Sequence, residues 1–180
     1  MFRKIFSKAK HRLKYREIAT VGEFDFIIGR CTAEAQDGHF SDVFGTSDPD
    51  IQEGLRYQMA CAVNDMPYPF EPGNPRHGTG AKMLLIEQGE ERVGFVLLLE
   101  DMPGSWHQKM EIHLVSILPN VRGTGIGKQL VNDIPSMTKA KEIYARCYPQ
   151  SVAMMNILKR AGFKTTKVSQ QGTTTLTLKR

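Results

Sequence analysis

The chain has 180 residues, 41% of them hydrophobic and 24% charged, with a formal net charge of +5. That length supports one well-formed core and is short for two domains, and no apolar run approaches the roughly 20 residues of a membrane span. Cys31, Cys61 and Cys147 lack CxxC spacing, which argues against a zinc site or a disulfide framework and fits a reducing cytoplasm.

Residues 1–16 hold seven of the 24 basic residues (Arg3, Lys4, Lys8, Lys10, Arg12, Lys14, Arg16) and no acid, leaving 17 basic against 19 acidic residues beyond them. The positive charge therefore belongs to the terminus, and nucleic acid is not an expected partner of the body. Phe2, Ile5, Phe6, Ala9 and Leu13 recur at helical spacing. A basic amphipathic helix can sit on anionic lipid or RNA, but residues 1–14 read first as an extension that frays, docks on its own domain, or docks on a second copy in a homodimer. A single domain is expected over 15–180.

In chain order, "YREIA" (15–19) reads as a short strand, and residues 21–36 as a helix with Phe24, Ile27, Ile28 and Cys31 on one face. Ser47 or Asp48 caps a second helix through about Ala62, and residues 65–80 are too rich in Pro and Gly to be regular. Two β-rich runs around Gly89 form a hairpin, and "QKMEIHLVSIL" is a further strand. A helix from about Gly125 to Lys139 buries Ile126, Leu130, Val131 and Ile134. It is followed by the strand "EIYARCY", a helix stopped by Gly162, and a closing strand pair around Gly172. This order is satisfied by a mostly antiparallel mixed sheet covered by helices, an α+β arrangement whose obvious parallel pair is 111–118 beside 142–148.

The stretch "LPNVRGTGIGKQL" puts Gly123, Gly125 and Gly127 directly after a strand and at the start of a helix. Backbone N–H groups at a helix start, together with its dipole, favour a phosphate. A Walker A loop is disfavoured, because Arg122 occupies its first glycine position and Gln129 the place of the hydroxyl that binds magnesium. A dinucleotide fingerprint read from Gly123 places Lys128 at its third glycine, so it is disfavoured too.

What remains, Arg122-Gly-Thr-Gly125-Ile-Gly127 after a strand, resembles the Q/R-x-x-G-x-G/A motif of the GNAT acyltransferase superfamily. A second element of that family, a helix ending in Gly-Phe, appears in register as "NILKRAGF" with Gly162-Phe163. The resemblance covers roughly residues 15–179. It implies the GNAT fold with its fourth and fifth strands splayed, and an N-acetyltransferase that moves an acetyl group from acetyl-CoA to an amine of a small molecule or a protein by direct attack. It also implies that Val115 and Ile117 offer backbone hydrogen bonds to the pantetheine arm. The pyrophosphate then falls to Arg122, Gly123, Thr124, Gly125, Ile126, Gly127 and Lys128.

A protonated amine cannot attack a thioester, so the reaction needs a base. Glu111 is the first candidate: it lies six positions before Ile117, on the face of His113, Val115 and Ile117 if the strand keeps period two, and part of the superfamily uses a glutamate there. Burial in a cleft would raise its pKa toward the working range. His113 is the second candidate. The chain departs from the family where many members carry Asn and a proton-donating Tyr, because those positions hold Ser151 and Leu158. That gap leaves a non-catalytic acyl-CoA-binding module as the alternative.

Overall fold

A computed structural model describes residues 12–64, 66, 79–101 and 108–180; the basic terminus up to residue 11, most of the 65–80 loop and Trp106 lie outside the described residues. The elements run β1 (Leu13–Glu17), α1 (Val21–Gln36), α2 (Pro49–Val63), β2 (Thr79–Gln88), β3 (Glu91–Asp101), β4 (Lys109–Ile117), α3 (Ile126–Asp133), β5 (Glu142–Cys147), α4 (Val152–Arg160), β6 (Lys164–Val168) and β7 (Thr174–Lys179). The expected element order is reproduced.

Local chemistry explains the boundaries. Thr20 and Glu23 close a reciprocal capping box at the start of α1, and Asp48 caps α2 ahead of Pro49. The helix expected to reach Lys139 stops at Asp133 and tightens into a 3-10 turn, Ile134–Met137. Pro135 accounts for this, since proline has no N–H and its ring clashes with the carbonyl four residues back. β1 begins two residues earlier than expected, where Leu13 finds Gln88 on β2.

The strands form one sheet in the order β1-β2-β3-β4-β5-β7-β6, and among them only β4 and β5 pair in parallel. Each face carries its own core. On one, α1 and α2 bury Ile27, Cys31, Met59 and Ala62 against Leu85, Phe95, Leu97, Leu99 and Leu114. On the other, Ile126, Leu130, Val131, Ile134 and Leu158 of α3, its continuation and α4 pack on Val96, Leu98, Met110, Ile112, Ile143 and Ala145. The three cysteines are free and buried.

The ladder between β3 and β4 slips by one residue: Leu97 faces Leu114, but Leu98 faces Ile112. His113 is therefore the extra residue of a β-bulge, and side chains before and after it swap faces. Glu111 pairs with Leu99 and so points to the α1/α2 face, whereas Val115 and Ile117 pack on the α3/α4 side. The expectation that all four residues share one face is corrected here, because a bulge breaks period two.

Candidate active site

β4 and β5 are paired only from Lys109↔Glu142 to Ile112↔Ala145, and past the bulge they part. Leu118 N–H donates to Val93 O on β3 at 2.9 Å. By the alternation of an antiparallel ladder, Ser116 and Leu114 also address β3, and the backbone groups of Val115 and Ile117 turn into the gap beside β5. A cleft of about 240 Å³ opens there. Its mostly apolar wall includes Ile112, Val115, Ile117, Ala145, Cys147, Met154, Ile157 and Leu158, with His39, Phe40 and Ser151 from α4 and the stretch after α1.

One end of the cleft is the glycine loop. After a 3-10 turn at Pro119–Val121, Gly123 (φ +79°) and Gly125 (φ +97°) take left-handed conformations, and Gly125 leads into α3 with no side-chain cap on its free N–H groups. A Cβ built at either glycine meets nothing within 4 Å, so the space in front of the loop is open. Of the residues expected to bind the donor, Val115, Ile117, Arg122, Gly123, Ile126 and Gly127 line the cleft. Thr124 instead donates from its hydroxyl to Val121 O at 2.8 Å, Gly125 supplies the turn, and Lys128 lies exposed on the first turn of α3.

Arg122 is engaged in a way its motif does not reveal. Its Nε donates to Ile117 O at 2.9 Å and its Nη2 pairs with Glu34 at 2.5 Å. Glu34, buried near the end of α1, also accepts from the Ser116 hydroxyl at 2.8 Å and from Arg30 Nη2, while Arg30 Nε donates to Ser116 Oγ at 3.0 Å. Sequence reading passed over Glu34 and Arg30. The available signal was an acid on the buried stripe of Ile27 and Cys31, one turn after an arginine.

The other end holds the expected base. Glu111 is 3% exposed and accepts from Arg146 Nε and Nη2 at 2.9 and 2.8 Å, from Tyr144 Oη at 3.0 Å, and lies 3.1 Å from His113 Nδ1. Burial alone would push its pKa up, but the hydrogen bond with His113 and the charge of Arg146 outweigh burial and hold the carboxyl below its ordinary range. This reverses the direction expected from burial. His113 and Arg146 line the cleft, and Glu111 stands behind them. At the α4 end, Leu158 is fully buried, and Ser151 Oγ sits 3.3 Å from His39 Nδ1. Burial pushes the Cys147 thiol up to about 11, which keeps it protonated and unreactive at neutral pH.

The residues present fit a coenzyme A thioester: outward backbone groups and an apolar trough suit an amide-bearing arm, and an open glycine loop at a helix start suits a pyrophosphate. Residues 54–163 match the acetyltransferase (GNAT) family. The chain belongs to that family, an acyltransferase class that uses acetyl-CoA as donor. No curated protein matches it by sequence. Among solved structures it is similar to the spermidine N-acetyltransferase of Vibrio cholerae in complex with CoA and spermine, at 13% identity over 93% of this chain and 95% of that one, with a TM-score of 0.66. It is also similar to the PaiA N-acetyltransferase of Thermoplasma acidophilum in complex with coenzyme A (14%, 93% and 99%, TM-score 0.62). A third is the N-acetyltransferase PseH of Campylobacter jejuni (15%, 93% and 98%, TM-score 0.60). At these identities the likeness is one of fold.

Proposed function

We propose that the chain is an acetyl-CoA-dependent N-acetyltransferase acting on an amine of a small molecule or a protein by direct attack. The observation that carries this reading is the continuous path formed by the β4/β5 gap, with the backbone of Val115 and Ile117 turned into it, and the open glycine loop at its end. Acetyl-CoA supplies the activated acyl group. The loop residues 122–128 hold the anionic end, and the apolar wall excludes water from the thioester. A backbone N–H in the gap is placed to polarise the thioester carbonyl as charge develops on it.

The amine must lose a proton as it attacks. His113 faces the cleft and takes that proton, and Glu111 holds the imidazole through Nδ1 and stabilises its charged form. This moves the proton acceptor from Glu111, the first candidate, to His113, the second: the lowered pKa of Glu111 makes it a weak direct acceptor but a good counter-charge to an imidazolium. Leu158 stands where a tyrosine is common, so the thiolate departs as the anion, a fair leaving group, and takes its proton from water once it has left the apolar wall. Attraction of a cationic acceptor by Glu111 is weakened, because Arg146 already counters its charge.

Leu158 also favours a second reading, an acyl-CoA-binding module without turnover. The two readings separate in one experiment: incubate the purified chain with acetyl-CoA and a panel of polyamines, amino acids, amino sugars and peptide N-termini, and follow thiol release. The proposal expects release above buffer with at least one amine. Thermal stabilisation by acetyl-CoA without release across the panel would leave the binding module.

A further inference from the structure

We infer that Glu34 is a positioning residue for acyl-donor binding, which sets the conformation of the pyrophosphate loop from helix α1 on the opposite face of the sheet. The inference rests on the proposed reading of the cleft as an acetyl-CoA site and adds to it a residue outside the motif. Glu34 accepts from Arg122, the first residue of the glycine loop, from Ser116, which lies between Val115 and Ile117 on β4, and from Arg30 one turn earlier on α1. Arg122 in turn spans from Glu34 to Ile117 O. One buried carboxylate thus links the helix, the strand edge and the loop, all three of which border the cleft.

The chemistry makes the placement informative. A carboxylate beside a pyrophosphate site repels the ligand, so a role through charge alone would weaken donor binding. Two guanidinium groups surround this one, which leaves the cluster with one net positive charge and makes Glu34 the fixed point that aims both arginines. Without it, Arg122 keeps its charge and its bond to Ile117 O but loses the partner that holds its Nη2, so one of the two side-chain ties between the loop and the body of the protein is gone.

Glu34→Gln separates the two accounts by sign. Removing the negative charge should strengthen acetyl-CoA binding if simple electrostatics dominate, and weaken it if positioning does. The expectation is a loss of about tenfold in kcat/KM for acetyl-CoA, the size of one charge-assisted hydrogen bond. With S-acetylpantetheine, which lacks the nucleotide and its pyrophosphate, the loss should be much smaller, so the preference for the nucleotide-bearing donor shrinks. Glu34→Asp, which keeps the charge but shortens the reach to Arg122, should show the same donor-selective loss and serves if Glu34→Gln fails to fold, as judged by near-UV circular dichroism and Tm. Equal losses with both donors, or a gain with acetyl-CoA, would overturn the inference. If the wild-type chain neither binds nor turns over acetyl-CoA, the parent reading fails instead, and the two failures are distinct.

Discussion

Glu111 receives both Arg146 donors and lies beside His113 on one oxygen, with Tyr144 on the other, so its chemistry is decided by partners from two strands. Glu111→Gln keeps the shape and an acceptor for Arg146 while removing the counter-charge that an imidazolium at His113 needs. Turnover should fall by roughly two powers of ten at neutral pH, with acetyl-CoA binding retained and part of the loss recovered as rising pH supplies free amine. The pH profile of kcat/KM for both proteins with one accepted amine checks this, and equal activity near neutral pH would remove Glu111 from the proton path. His113→Asn should cost more, roughly two to four powers of ten, since it removes the group that faces the cleft. That a carboxylate stands beside His113 at the cleft was legible from the resemblance and not from period two, which the bulge breaks. Its real company was not, because Arg146 and Tyr144 lie on β5 and only the fold brings them within reach.

At the scale of elements, β4, the glycine loop and α3 frame the cleft, and most of that order was readable: alternation, then glycines, then a helical stripe that is buried as expected. The bulge at His113 was not, since a slip of one residue leaves no mark in the pattern and is set by pairing with β3. Two glycines test the arrangement. Gly125→Val forces a β-branched residue into a left-handed conformation at the start of α3, a strain of roughly 1–2 kcal/mol, and fills the open space before the loop. Acetyl-CoA affinity should drop while the sheet survives, and unchanged affinity in a folded variant would count against the loop as the pyrophosphate site. Gly94→Ala is different in kind: its Cβ would lie 2.2 Å from Ser116 O, so β3 and β4 must separate where Val115 and Ile117 are presented. Soluble yield and Tm should both fall, by at least the roughly 1–3 kcal/mol of an overpacked site. A Tm within about a degree of wild type would show that the strands can give way without cost.

The described residues form a sheet with helices on both faces, and its β1 end is tied by charge as well as by the burial of Leu13 in the α3/α4-side core. Arg16 on β1 pairs with Glu23 at the start of α1 (2.6 Å) and with Glu87 on β2 (2.9 Å). The hydrogen bond from Arg16, and then that from the Ala19 N–H, lower the pKa of Glu23 from an ordinary 4.5 to about 2. A carboxyl with a lowered folded-state pKa stabilises the fold fully above its ordinary pKa, and that contribution disappears as pH falls through the folded value. The acid limb should therefore steepen between about pH 4.5 and 2. Glu111, also held below its ordinary range, adds to the loss in the same direction. Glu23→Gln keeps a side chain able to accept at the cap but removes the charge. The Tm gap between wild type and variant should thus be widest above about pH 5 and close toward pH 2, while the variant retains the part of the slope that belongs to Glu111. Thermal melts across that range decide it: a gap that stays constant down to pH 2.5 would mean that Glu23 contributes through its cap hydrogen bonds alone, and that the Arg16 ion pair does not hold β1 to α1.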